Sequence, residues 1–128
     1  MMQQRVLFFI RLIIAIVLIQ TLFFKFTAHP DSVYIFTTVG MEPFGRIGIG
    51  VMELIAAVLL MFRKTVWLGA GLATGILSGA ILMHLTQLGI EVQDDGGMLF
   101  FMAIGTFLMS FVVLFFHRKE IPIIGLKL

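Results

Sequence analysis

The chain has 128 residues, 60% of them hydrophobic and 12% charged, against about 25% charged residues in soluble domains, so its composition sets aside an ordinary water-soluble fold. It has no cysteine, which excludes a thiol–disulfide relay, c-type haem attachment, iron–sulfur clusters and cysteine zinc sites. A net charge of +2 with no aromatic-basic surface pattern excludes nucleic acid as a partner.

At this length there is room for one domain, residues 1–128. Each helical crossing of a bilayer takes about 20 residues, so four crossings with short loops use nearly the whole chain. The first apolar run, 6–24, is too long for the apolar region of a cleaved leader, and bulky Phe24, Lys25 and Phe26 crowd its end, so it reads as an uncleaved first span. A long break, 25–46, follows. Inside it Val33, Phe36 and Val39 recur at helical spacing between Pro30 and Gly40, which predicts a short helix over 30–39 lying at the membrane surface; an irregular apolar loop is the alternative. The second span is 47–62. Arg63-Lys64-Thr65 then allows only an antiparallel hairpin into the third span, 66–88. Three acids and two glycines fill 91–97 before the fourth span, 98–116. The expected fold is all-α: an antiparallel four-helix transmembrane bundle with a short interfacial helix in the first outer loop.

Arg5, Arg63, Lys64, Arg118, Lys119 and Lys127 fall on one side of such a bundle. Only Lys25 and Arg46 fall on the other, with Asp31, Glu42, Glu91, Asp94 and Asp95. The positive-inside rule therefore puts both termini in the cytoplasm.

Within lipid, helices associate through close backbone approach at small residues. Gly71, Gly75 and Gly79 make two overlapping small-x-x-x-small steps on the third span and predict a packing stripe, either at the centre of the bundle or on a homodimer face; Gly50 permits tight contact on the second span.

Ionisable groups inside a membrane need a partner or a purpose. On the second span Arg46, Gly50 and Glu53 share a face, with Glu53 about 10 Å deeper than Arg46 at about 1.5 Å per residue. On the third span His84 and Gln87 share a face, with His84 about 6 Å below the outer boundary. Lys25 ends the first span on the same side, with Gln20 a turn or so deeper. Lys25, Arg46, Glu53, His84, Gln87 and Gln20 are therefore expected to converge on one polar pocket in the outer half of the membrane. Lys25 or Arg46 would keep the Glu53 carboxylate ionised. Three readings stay open: a structural ion network, a pocket for a small molecule or quinone headgroup, or a proton-handling site. Arg11, deeper in the first span, reads as a snorkelling side chain that can also point inward. Asp94 and Asp95 read as caps of the fourth span. No catalytic residue and no metal site is expected. His29 and His117 lie on opposite sides of the membrane, so neither can share a haem with His84.

The order of these residues resembles the DoxX family of small bacterial and archaeal membrane proteins. The resemblance is carried by Arg11 and Lys25, by Pro30, Phe36, Gly40, Pro43 and Arg46, by Gly50, Glu53, Leu59 and Leu60, and by His84. The turn Gln93-Asp94-Asp95-Gly96-Gly97 and the close His117-Arg118-Lys119-Glu120 extend it over the whole chain. The sequence departs from that pattern at Ala15, Ile16, Thr21 and Leu22, where members often carry glycines. The resemblance implies a four-helix transmembrane bundle in a prokaryotic cytoplasmic membrane. The family takes its name from a subunit of a thiosulfate:quinone oxidoreductase, and its distant relatives by fold include membrane assembly factors and thiol–quinone enzymes, whose thiol chemistry a cysteine-free chain cannot perform. The expected role is a non-catalytic accessory subunit of a quinone-linked redox system, holding a quinone or lipid and meeting a redox protein partner. The alternatives are an assembly or chaperone-like factor that holds other membrane proteins and, third, a small proton-coupled carrier.

Overall fold

The computed structural model describes residues 2–122; Lys127, counted above for orientation, lies outside the described residues. The chain folds into α1 (Met2–Phe26), α2 (Pro30–Thr38), α3 (Phe44–Met61), α4 (Val66–Met83) and α5 (Met98–Phe116). A π-helical turn, His84–Leu88, extends α4, and single 3-10 turns sit at Arg63–Thr65 and Arg118–Glu120. Four of these helices, one including the π turn, are long and apolar enough to cross a membrane, which makes this a multi-pass integral membrane protein.

The four spans form an antiparallel ring in which α1 touches α3 and α5 while α4 touches α3 and α5. The glycine-bearing α4 is thus one of four walls rather than a central helix. α2 begins where expected: Pro30 supplies the first helical φ, and His29 caps it by accepting the Asp31 N–H on Nδ1 at 3.2 Å. Its Ser32 and Phe36, four apart, face the bundle and are buried. Asp95 makes the turn into α5 by accepting N–H bonds from Val92 at 3.0 Å, Gly97 at 2.8 Å and Leu99 at 3.1 Å. Asp94 takes no such part; it is exposed, with φ +59°.

Packing is uneven along the bundle axis. Leu7, Ile14, Leu60, Val66, Ala70 and Val113 interlock in the half next to the chain termini. The closest helix approach there is made by Gly69, where an added Cβ would stand 2.8 Å from the Leu60 nitrogen and 3.1 Å from the Ala56 oxygen. Gly50 is likewise a contact point, its missing Cβ leaving room for the Phe26 ring at 2.7 Å.

The predicted packing stripe is not where the helices touch. A Cβ on Gly75 or Gly79 would meet nothing within 4 Å, and one on Gly71 would only graze Leu114 at 4.0 Å. Residues advance about 100° each around a helix, so Gly71 stands about 200° round from Gly69. Gly69 therefore faces α3, while the Gly71-Gly75-Gly79 stripe turns toward open space inside the other half of the bundle.

These environments predict opposite responses to one methyl group. Gly69→Ala should lower the thermal midpoint in detergent, because backbone atoms cannot yield. Gly75→Ala should hold or raise it, since removing a helical glycine is worth up to about 1 kcal/mol. Equal losses at both positions would show that the two faces have been assigned wrongly.

Candidate functional site

The half of the bundle beneath α2 is hollow, and its polar groups come from two opposite walls. On the first wall Thr21 and Lys25 lie one turn apart on α1, so both face Glu53 of α3. The Lys25 ammonium is 2.9 Å from Glu53 Oε1, and the Thr21 hydroxyl donates to Oε2 at 2.6 Å. Glu53's side chain is only 5% exposed and Lys25's 16%, so the two charges are largely out of solvent. Removing one partner from such a pair leaves a charge that the surroundings cannot solvate.

Arg46 does not join them. It is buried, but its Nε donates to both Glu42 carboxylate oxygens, at 2.8 and 3.0 Å, and its Nη1 donates to the backbone carbonyl of Lys25. Arg46 is in the first turn of α3, about 10 Å from the level of Glu53. Glu42, four residues before it, is within easy reach and takes the guanidinium. Arg46 therefore ties the end of α1 to the start of α3 from outside the cavity.

On the second wall His84 is buried at the junction of α4 with its π turn. Its Nδ1 is 2.9 Å from the Gly89 carbonyl oxygen, while the Gly89 N–H donates back to the His84 carbonyl at 2.8 Å. Gly89 has φ +81° and ψ 171°, a conformation open essentially to glycine alone, so this clamp requires that residue. The ring packs edge-on against Phe100, with centroids 5.5 Å apart. Gln87 does not accompany His84. A π turn takes more residues per revolution than an α turn, so three residues no longer return to the same face, and Gln87 is exposed. Gln20 is exposed as well, because Thr21, one residue on, takes the inward direction.

Asp95 lies beside His84 at the cavity rim. Burial alone would raise its pKa. The backbone N–H groups of Val92, Gly97 and Leu99, with the imidazolium form of His84 adding to them, instead hold the carboxyl below its ordinary value.

Between the walls is a cavity of about 620 Å³. Lys25, Glu53 and Thr21 line one side, His84 and Asp95 the other, with His29 and Ser32 of the α2 segment at the mouth, so His29 and His84 border one cavity although the sequence reading sets them apart. Deeper in, its surface is almost wholly apolar, including Val17, Ile49, Met52, Ile76 and Met102, with Gly71, Gly75 and Gly79 widening the α4 wall. Such a volume lies within the range of roughly 300–1,000 Å³ typical of small-molecule pockets. Its build is that of a site for an amphiphile: polar groups near the mouth, apolar walls below. Among the described residues, no three His, Asp or Glu side chains come together as a metal site.

Thr21, Asp95, His29 and Ser32 were not among the residues the sequence pointed to for this pocket. Thr21 had a signal, its four-residue step from Lys25. The other three sit in loops or at the start of α2, where no periodicity announces them. No family model, curated protein or solved structure matches the chain.

Two predictions follow from this geometry. Glu53→Gln should cost roughly 3 kcal/mol, because it strands the Lys25 charge, whereas Thr21→Val should cost about 1 kcal/mol, one hydrogen bond; detergent unfolding of the two variants measures both, and equal losses would remove Glu53 from the buried pair. Because the folded pKa of Asp95 is depressed, its stabilisation is complete above the unfolded carboxylate value and is lost as pH falls through the folded one. Asp95→Asn should therefore flatten the acid limb of the curve of thermal midpoint against pH, and an unchanged acid limb would show that this carboxylate does not govern it.

Proposed function

We propose that this chain is a DoxX-like protein of the prokaryotic cytoplasmic membrane, with both termini cytoplasmic, acting as a non-catalytic accessory subunit of a quinone-linked redox system and holding a quinone-type or lipid amphiphile. The observation that carries the reading is the cavity itself: about 620 Å³, apolar in depth, with the Lys25–Glu53 pair and His84 on facing walls. A purely structural ion network needs the pair but not the space.

The inward turn of Gly71, Gly75 and Gly79 favours a ligand over the assembly-factor reading, since small residues that widen a cavity are not offered to a neighbouring helix. A carrier needs an aqueous path to both membrane faces, and the interlocked residues from Leu7 to Val113 fill the half next to the termini. The orientation rests on Arg5, Arg63, Lys64, Arg118 and Lys119, which all fall at the terminal end of the antiparallel path.

Native mass spectrometry of protein extracted with its own lipids tests this reading, with wild type run beside Gly75→Leu. The Cβ of a leucine at position 75 meets nothing within 4 Å, and position 75 lines the cavity. The expected result is a stoichiometric small molecule on the wild type that is absent from a folded Gly75→Leu. A wild type that is stable and empty, or a ligand retained by the variant, overturns the proposal.

A further inference from the structure

The cavity's polar groups differ in what they leave unused, and that difference selects among ligands. Glu53 Oε2 accepts from Thr21, and Oε1 is buried against the Lys25 ammonium. Both oxygens of Asp95 accept backbone N–H groups. Lys25 has only donors to offer. His29 accepts the Asp31 N–H on Nδ1, so its other ring nitrogen carries the proton and is a donor. The Ser32 hydroxyl both donates and accepts and discriminates little, while Thr21 and Thr106 donate their hydrogens to Glu53 Oε2 and the Met102 carbonyl and keep only acceptor oxygens. Asp31 is exposed at the mouth, where water satisfies it.

Among the nitrogen groups around the cavity, His84 is the exception. The Gly89 carbonyl opposite its Nδ1 can only accept, so Nδ1 carries the proton. In the uncharged form of the ring, Nε2 is then a bare lone pair. That nitrogen has no partner among the described residues, it is not among the fully covered side-chain atoms, and its residue lines the cavity. The ring cannot turn to present the other nitrogen without breaking the Gly89 clamp.

We infer that His84 Nε2 selects the headgroup as a hydrogen-bond acceptor, so that the cavity prefers an amphiphile bearing a hydroxyl, such as a hydroquinone or phenol, over its carbonyl counterpart. The inference rests on the ligand-pocket reading above and narrows it. A headgroup hydroxyl donates to Nε2. A carbonyl oxygen in the same place sets two lone pairs against each other.

A quinone and its hydroquinone with the same decyl tail form a matched probe pair, and the cysteine-free chain has no thiol or disulfide for the reductant to attack. Binding of each is measured to the full chain in lipid nanodiscs, anaerobically for the hydroquinone. The hydroquinone should bind roughly five- to tenfold tighter, the worth of one net hydrogen bond. The preference should vanish in His84→Phe, which keeps the ring packing against Phe100. As a readout independent of that variant's folding, ring ¹⁵N spectra of the wild type, which has only three histidines, should show hydroquinone moving Nε2 of one histidine and leaving its Nδ1 in place. Equal affinities, tighter quinone binding, a preference that survives in His84→Phe, or an unmoved Nε2 each overturn the inference while the pocket stands. Binding of neither probe overturns it together with the quinone reading.

Discussion

A carboxylate placed inside a bilayer has to be met by a cation and hydrogen-bond donors, and the outer-loop half of this bundle is organised around how Glu53 is met. Lys25 and Thr21 reach it from one face of α1, which holds α1 against α3 beside the cavity. Arg46 reinforces the same seam a turn or two higher by donating to the Lys25 carbonyl. With α1 and α3 joined by polar bonds, the side chains between the walls need not fill the space, and the cavity can exist. In the terminal half the opposite solution holds: Leu7, Ile14, Ala56, Leu60, Val66 and Ala73 interlock, and Gly69 lets α3 and α4 meet at backbone distance. One half is held by packing and the other by charge.

That division explains which parts of the molecule could be read from the chain. The spans were legible because length and hydropathy decide them, and the surface helix was legible because Pro30 and Gly40 bracket a helical period; α2 runs Pro30–Thr38 against an expected 30–39. A cation partner for Glu53 was legible because so few charges lie near that depth, with Lys25 and Arg46 both open and Lys25 found there. The direction of each helical face was not. In lipid, the outward and inward faces are both apolar, so a glycine stripe signals a smooth surface without saying whether a helix or a void lies opposite. Gly71, Gly75 and Gly79 turned out to face the void, and the contact fell to Gly69.

The polar residues failed in the same way and for local reasons. Gln20 lies next to Thr21, and only one of two neighbours on a helix can face inward. Gln87 was assigned by α-helical arithmetic that the π turn at His84–Leu88 suspends. Arg46 shares a face with Glu53, but a shared face along an axis is not contact, and Glu42 was nearer. Each error comes from treating periodicity as position.

The π turn and Gly89 also bear on what the cavity is suited to do. They place His84 where its ring is clamped on one side and open on the other, opposite a carboxylate whose charge is already balanced by Lys25. A proton-transfer site needs an acceptor chain leading away from the ligand. Here Glu53 is committed to Thr21 and Lys25, Asp95 is committed to backbone N–H groups, and the far end of the cavity meets the packed half of the bundle. Groups committed in this way are poorly placed to pass protons onward. The cavity closes toward the terminal half, and on the reading proposed above any redox change in an occupant is driven by a partner outside this chain.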